Sequence, residues 1–162
     1  MRQMLMRSVV MGLIVTTLAA TAPAGATVSA NYGSAVANTP TFFSKPTNNC
    51  LSNCMVGTAT FTPSGTVNTS VQMFVYLYRY KSATQTAPVC TAGGACSDTL
   101  LTSTSKVFTV TTTSKVPSTL TISTTCSTLQ AATTGYYVRV AFSNGNGVGY
   151  AESSTVLKAK GC

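Results

Sequence analysis

The sequence predicts an all-β protein, a single β-sandwich of seven strands. Apolar and polar residues alternate along most of the chain, and no stretch keeps the apolar spacing of a helix. Thr, Val, Tyr and Phe, which favour strands, recur in these alternating runs. Clusters of Gly, Pro, Ser and Asn separate the runs at short intervals, and this spacing is typical of a sandwich of short strands.

Turn-forming segments mark the limits of the predicted strands. The segment from Pro63 to Gly65, the pair at residues 93–94 and the segment 144–147 all combine residues that favour turns for backbone reasons. Between such segments lie the seven predicted strands, approximately residues 40–47, 55–62, 70–80, 99–111, 118–125, 135–143 and 148–159.

The N-terminus has the features of an export signal. Arg2 and Arg7 are followed by an apolar stretch of about a dozen residues, shorter than the roughly 20 residues that span a bilayer. Small residues offer cleavage after residue 26 or after residue 30, and the alanine-rich signal favours a bacterial source. We therefore expect a signal peptide over residues 1–30, a flexible lead-in over 31–39 and the domain over 40–162, in a secreted protein with no membrane span.

The chain lacks most of the side chains that enzymes use to move protons. It contains no His, and its only acidic residues are Asp98 and Glu152. A zinc site is disfavoured because the closely spaced Cys50 and Cys54 have no histidine to join them. We therefore predict a non-catalytic protein with no metal site and no cofactor.

Basic residues outnumber acidic ones but form no run or stripe. Without Arg2 and Arg7, eight basic residues remain against two acidic ones, a net charge of about +6. Lys45, Lys106 and Lys115 each stand alone among neutral neighbours, as do the other basic residues. Nucleic-acid binding usually needs a clustered basic patch, so we expect no nucleic-acid partner.

Two predicted strands have one aliphatic or mixed face and a second face rich in tyrosine. In the third predicted strand, the aliphatic face carries Val71, Met73, Val75 and Leu77, and the other carries Phe74, Tyr76, Tyr78 and Tyr80. In the sixth, Tyr136, Val138, Val140 and Phe142 alternate with Tyr137, Arg139 and Ala141.

The segment from Ser118 to Lys158 resembles the end of an immunoglobulin-like or fibronectin type III domain. Leu120 and Ile122 resemble the fifth strand of that family, and the run from Gly135 to Val140 resembles the corner that leads into its sixth strand. Ser143 to Gly147 resembles the hairpin before its last strand. The resemblance implies a seven-stranded Ig/fibronectin III-like β-sandwich.

In this family a tyrosine hydroxyl at the corner bonds to nearby backbone. The resemblance assigns that role to Tyr136, or to Tyr137 if the register differs by one residue. The sequence departs from the antibody pattern because Val138 replaces the expected cysteine and the chain has no Trp. These departures favour the fibronectin-like variant or a bacterial relative.

The same topology makes the third and sixth strands neighbours in one sheet. Tyr76, Tyr78, Tyr137 and Arg139 would then share its outer face, with Phe74 as a further candidate. Rings with hydroxyl groups beside one cation form a flat platform for sugar rings or a protein partner. Two alternatives remain open: the tyrosines only form cross-strand pairs, or the N-terminal segment buries them.

An even number of cysteines in an exported chain indicates disulfides rather than redox centres. In the implied topology all six fall at one end of the sandwich. We expect Cys90–Cys96 as a local pair because a short glycine-containing loop joins them, with Cys126–Cys162 and Cys50–Cys54 as the others. Swaps such as Cys54–Cys126 remain open.

These observations favour a secreted binding module for glycan, or for a protein, at a cell surface. Two other classes stay open. One is a structural or adhesive surface subunit that self-assembles by its strand edges or tyrosine face. The other is a small secreted inhibitor or toxin that acts through the loop between Cys90 and Cys96. For the oligomeric state of the protein we expect a monomer or weak self-assembly.

Overall fold

The computed structural model describes residues 27–45, 50, 53–91, 94–126, 134–143, 148–153 and 156–158. This part of the chain contains nine strands and no helix, so it offers no helix that could cross a membrane. The strands are β1 (Thr27–Ala30), β2 (Gly33–Phe43), β3 (Cys54–Pro63), β4 (Thr69–Arg79), β5 (Thr99–Val110), β6 (Ser118–Thr125), β7 (Thr134–Ser143), β8 (Val148–Glu152) and β9 (Val156–Lys158).

The strands form two antiparallel sheets. The first has the order β1-β2-β3-β6, and the second has the order β5-β4-β7-β8, with β9 also paired to β7. The prediction of an all-β, two-sheet protein is confirmed. The last predicted strand, 148–159, is divided into β8 and β9. Ser153 lies between them, where its backbone N–H donates to the Val138 carbonyl at 2.7 Å and its hydroxyl accepts from the Val138 N–H at 2.9 Å.

The expected flexible lead-in, residues 31–39, is instead largely part of β2. Ala35 and Ala37 are fully buried and pair with Phe61 and Ala59 of β3. Alanine and glycine side chains are too small to give a clear hydrophobic alternation, so the sequence pattern did not reveal this strand. The first strand of the sheet begins still earlier, since Thr27–Ala30 forms a hairpin with β2.

The inner faces of β4 and β7 form the centre of the core, as their alternation predicts. Val71, Met73, Val75 and Leu77 are fully buried on β4, opposite Tyr136, Val138, Val140 and Phe142 of β7. Burial of each side chain of this size contributes about 1.5–3 kcal/mol. The first sheet packs against them with Met55, Ala59, Phe61, Leu120 and Ile122.

Two of the three expected disulfides are present, Cys50–Cys54 and Cys90–Cys96. Cys126 is also disulfide-bonded, and its expected partner Cys162 lies outside the described residues. No cysteine in the described part of the chain is free. Cys50, Cys54 and Cys126 lie at one end of the first sheet, where Cys126 follows β6 and donates its N–H to the Asn53 carbonyl at 2.6 Å. Cys90 and Cys96 instead lie against Tyr137 and Arg139 on the outer face of the second sheet.

The side chain of Tyr136, the predicted corner residue, is 1% exposed and belongs to the main core. Tyr137 faces the opposite side of the sheet, where it joins a separate cluster with Tyr78 and Tyr80. The segment before β7, residues 127–133, lies outside the described residues. The corner role of Tyr136 therefore stays a prediction.

Candidate binding surface

The outer face of the second sheet brings the four predicted binding residues together. Strands β4 and β7 are paired, with Tyr76 opposite Arg139 and Tyr78 opposite Tyr137. Phe74 is opposite Ala141 on the same face. The predicted neighbourhood of these side chains is therefore present in the structure.

Most of this face is covered, so the expected exposed platform is wrong for three of its four residues. Tyr78, Tyr137 and Arg139 are 9%, 0% and 2% exposed, whereas Tyr76 is half-buried. Among the described residues, the connection between β4 and β5 provides the cover, through contacts of Cys90 and Asp98 with Tyr137 and of Gly94 and Cys96 with Arg139. We refer to its described residues, 80–91 and 94–98, as the covering loop.

Asp98 is buried at the end of the covering loop and holds it in place. Its Oδ2 accepts from the Tyr137 hydroxyl at 2.9 Å and from the Val89 N–H at 3.0 Å. Its Oδ1 accepts from Nε2 of Gln85 at 2.7 Å and from the Lys81 N–H at 3.4 Å. Four donors therefore offset the cost of burying this carboxylate.

Tyr137 anchors the sheet side of this contact. Its ring stacks on Tyr78, with centroids 5.3 Å apart and planes 12° from parallel, and its hydroxyl lies 3.4 Å from Sγ of Cys90. Burial, and then the hydrogen bond to Asp98, raises the pKa of the Tyr137 hydroxyl far above its ordinary value. The group therefore remains a protonated donor.

Arg139 fastens the disulfide part of the covering loop to the sheet. Its Nη1 donates to the Gly94 carbonyl at 2.9 Å and contacts Sγ of Cys96. Its Nε lies 2.9 Å from Oε1 of Glu152, an ion pair whose angle does not make a hydrogen bond. The guanidinium carbon also lies 4.2 Å from the ring centroid of Tyr150.

Gly94 permits the close approach of the covering loop to the Tyr150 ring. Its φ is +97°, and a Cβ placed there would overlap the Tyr150 hydroxyl. A larger residue at position 94 would therefore push the loop away from Arg139. The chain uses both of its acidic residues at this face, Asp98 with Tyr137 and Glu152 with Arg139.

The described residues contain no cluster of three or more His, Cys, Asp and Glu side chains that could hold a metal ion. The hydroxyl and carboxylate of Tyr137 and Asp98 face each other and the covering loop. Their arrangement fixes a loop on a sheet.

The open part of the outer face is an aromatic shelf, formed by Phe74 and Tyr76 of β4. Both side chains are half-buried, their ring centroids are 6.2 Å apart and their planes are 9° from parallel. Ser105 and Ser103 of β5 pair with these two residues, and Gln72 donates through Nε2 to the Ser105 hydroxyl at 3.4 Å.

Sequence reasoning missed the contribution of β5 to this surface. Val107 and Leu100 are 59% and 49% exposed, and they pair with Gln72 and Tyr78 on the outer side of β4. A bulge between Leu77 and Tyr78 shifts the register, which puts Leu100 rather than Leu101 beside Tyr78. The alternation of β5 alone does not locate that shift.

Comparisons of the chain with protein-family models, curated proteins and solved structures found no match.

Proposed function

We propose that the chain is an exported, non-catalytic binding module that holds a surface or cell-wall polysaccharide against the aromatic shelf. The observation that carries this proposal is the pair of half-buried, nearly parallel rings of Phe74 and Tyr76, which are neighbours on one face of β4. Together the two rings form one apolar platform. The apolar face of an extended β-linked sugar chain matches such a platform better than a helical chain does.

The edges of the shelf supply the polar contacts that a sugar needs. The side chains of Gln72, Ser103 and Ser105 are exposed beside the rings, and their amide and hydroxyl groups both donate and accept. The ring of Tyr78 contacts the Tyr76 ring along β4 and stacks on Tyr137 of β7. These buried contacts support the shelf from beside it. A site fixed in advance loses little conformational entropy when it binds.

The charge distribution is compatible with neutral and acidic polysaccharides. Both acidic side chains of the chain pair with its own residues, and Glu152 is only 21% exposed. The surface therefore presents mainly lysine and arginine charges, which do not repel an acidic wall polymer.

The strand order and the disulfides support the remaining parts of the proposal. The orders β2-β3-β6 and β5-β4-β7-β8 favour the fibronectin-like form of the sandwich. Disulfides persist in oxidising compartments, which supports export.

The test is sedimentation of the mature protein with insoluble cellulose, chitin and peptidoglycan. The variant Phe74→Ala/Tyr76→Ala should lose binding, whereas Tyr76→Phe, which keeps the ring, should retain most of it. Val116→Ala is the matched control, because Val116 is 80% exposed on another loop. Unchanged binding by the double variant, or no binding to any of the three polymers by the unmodified protein, would contradict the proposal.

A second candidate is a structural or adhesive subunit that assembles through strand edges. The long exposed edge of β5 favours it. The inhibitor or toxin class receives less support, because the described residues of the Cys90–Cys96 loop contact Arg139 and Tyr137 of their own sheet.

A further inference from the structure

Strand β5 is an open edge of unusual length. It pairs only with β4 in the described part of the chain and runs for 12 residues. Its other side therefore presents a row of backbone groups that a further strand could pair with, a feature that proteins usually shorten or cover. Val107 and Leu100 increase the apolar character of this edge.

A cleft lined by both apolar and polar side chains opens beside β5, on the side that faces the first sheet. Its volume is about 300 Å³, which is small for a cofactor site. The floor contains Phe61 and Phe108, whose ring centroids are 5.2 Å apart, and Val116 lies at the rim. The cleft therefore has room for one apolar side chain of a partner.

The rim of the cleft is positively charged. Lys115 lines it, and Nζ of Lys106 lies 5.3 Å from the centroid of the Phe108 ring. Lys106 and Phe108 pair with Met73 and Val71, so both side chains lie on the cleft side of β5. The turn that carries Lys115 is held by bonds between Thr111 and Ser114 at 2.9–3.0 Å.

No acidic residue of this chain is free to neutralise that rim. Asp98 and Glu152 are the only two, and both are engaged at the outer face of the second sheet. Strand β5 itself contains no acidic residue, so a second copy paired edge to edge would supply none. An acidic complement to this rim would therefore come from a different protein.

We propose that β5 and the cleft beside it bind an extended acidic segment of another protein by strand addition. The segment would pair its backbone with β5, place an apolar side chain in the cleft against the Phe108 ring, and place a carboxylate near Lys106. Because side chains on one face of a strand recur every second residue, the apolar and acidic residues stand two positions apart. This site goes beyond polysaccharide binding and uses a different face.

The test measures fluorescence anisotropy of a labelled, threonine-rich peptide that carries Phe and, two residues later, Glu. Replacing its Phe with Ala should weaken binding by at least about ten-fold, and methylating its backbone amides should abolish binding, since the strand bonds are lost. The protein variant Lys106→Glu should bind this peptide weakly and should regain binding when Lys replaces the peptide Glu.

Lys45→Glu is the matched control, because Lys45 is exposed after β2 and makes the same charge change away from the cleft. Equal binding by the Lys106→Glu and Lys45→Glu proteins would overturn the proposal, as would binding of the methylated peptide. Absence of binding by every peptide, or a concentration-dependent dimer blocked by Lys106→Glu, would also overturn it. The Lys106→Glu protein should sediment with polysaccharide as the unmodified protein does. This measurement distinguishes failure of the strand-addition proposal from failure of the proposed polysaccharide binding.

Discussion

The hydroxyl of Tyr137 donates a 2.9 Å hydrogen bond to Asp98, 39 positions earlier in the sequence, and this bond joins the covering loop to the sheet. Both side chains are buried, at 0% and 7% exposure. The covering loop that this bond holds leaves the outer face of the second sheet with a covered part, around Tyr137 and Arg139, and an open part, the aromatic shelf.

Replacing Asp98 should destabilise the fold more than removing any one of its donors. Asp98→Ala leaves the Val89 N–H and the Tyr137 hydroxyl without their acceptor, so the free energy of unfolding should fall by about 3 kcal/mol. Tyr137→Phe should cost about 1 kcal/mol. Urea unfolding of both single variants and the double variant should give a coupling of at least about 0.5 kcal/mol. Additive effects would show that the two side chains act independently.

The stability of the protein should fall at alkaline pH. The pKa of Tyr137 is raised in the folded state, so above its ordinary value of 10.0 the unfolded chain binds fewer protons than the folded one. Its contribution is complete below that pH and declines above it, by about 1.4 kcal/mol per pH unit. Urea unfolding between pH 8 and 11 checks this, and Tyr137→Phe should show a shallower decline. Equal slopes for both proteins would contradict the assignment to Tyr137.

The Cys90–Cys96 disulfide should hold the cover over the tyrosines. Replacing both cysteines with Ala should cost about 2 kcal/mol, since the bond closes a short loop. It should also increase the oxidation of Tyr78 and Tyr137 by hydroxyl radicals, measured by mass spectrometry. Removal of the Cys50–Cys54 bond is the control and should leave that oxidation unchanged. Protection of both tyrosines in the Cys90/Cys96 variant would show that Asp98 and Arg139 suffice.

Tyr136→Phe tests the predicted corner. If the Tyr136 hydroxyl bonds to nearby backbone, its loss should lower the free energy of unfolding by about 1 kcal/mol or more, because the buried partner loses a bond. Thermal melting gives the comparison. A melting temperature equal to that of the unmodified protein would refute the corner role.

The faces of β4 and β7 could be predicted from the sequence because large apolar and tyrosine side chains alternate there without interruption. The same reasoning failed at β2, where Ala35 and Ala37 are buried but too small to produce a clear pattern. Hydrophobic alternation therefore identifies a strand only when the buried side chains of that strand are large.

The covered state of the tyrosine face could not be predicted from local pattern. Residues 80–98 have the small, polar composition of an exposed loop, and most of the described ones are indeed exposed. That this loop covers the tyrosine face depends on the bonds from Tyr137 to Asp98 and from Arg139 to Gly94. Such long-range pairs leave no periodic trace in the sequence. The position of Asp98, one of only two acidic residues, at the end of a long connection is the one sequence signal that could have indicated its role.

Hydroxyl-radical footprinting of the mature protein, free and bound to the polymer that sediments it, tests whether the polymer binds at the aromatic shelf. Phe74 and Tyr76 should be oxidised in the free protein and protected in the complex, while Tyr137 should be protected in both. Oxidation of Phe74 and Tyr76 that stays equal at saturating polymer would contradict binding at the aromatic shelf. Ready oxidation of Tyr137 in the free protein would contradict the covered face.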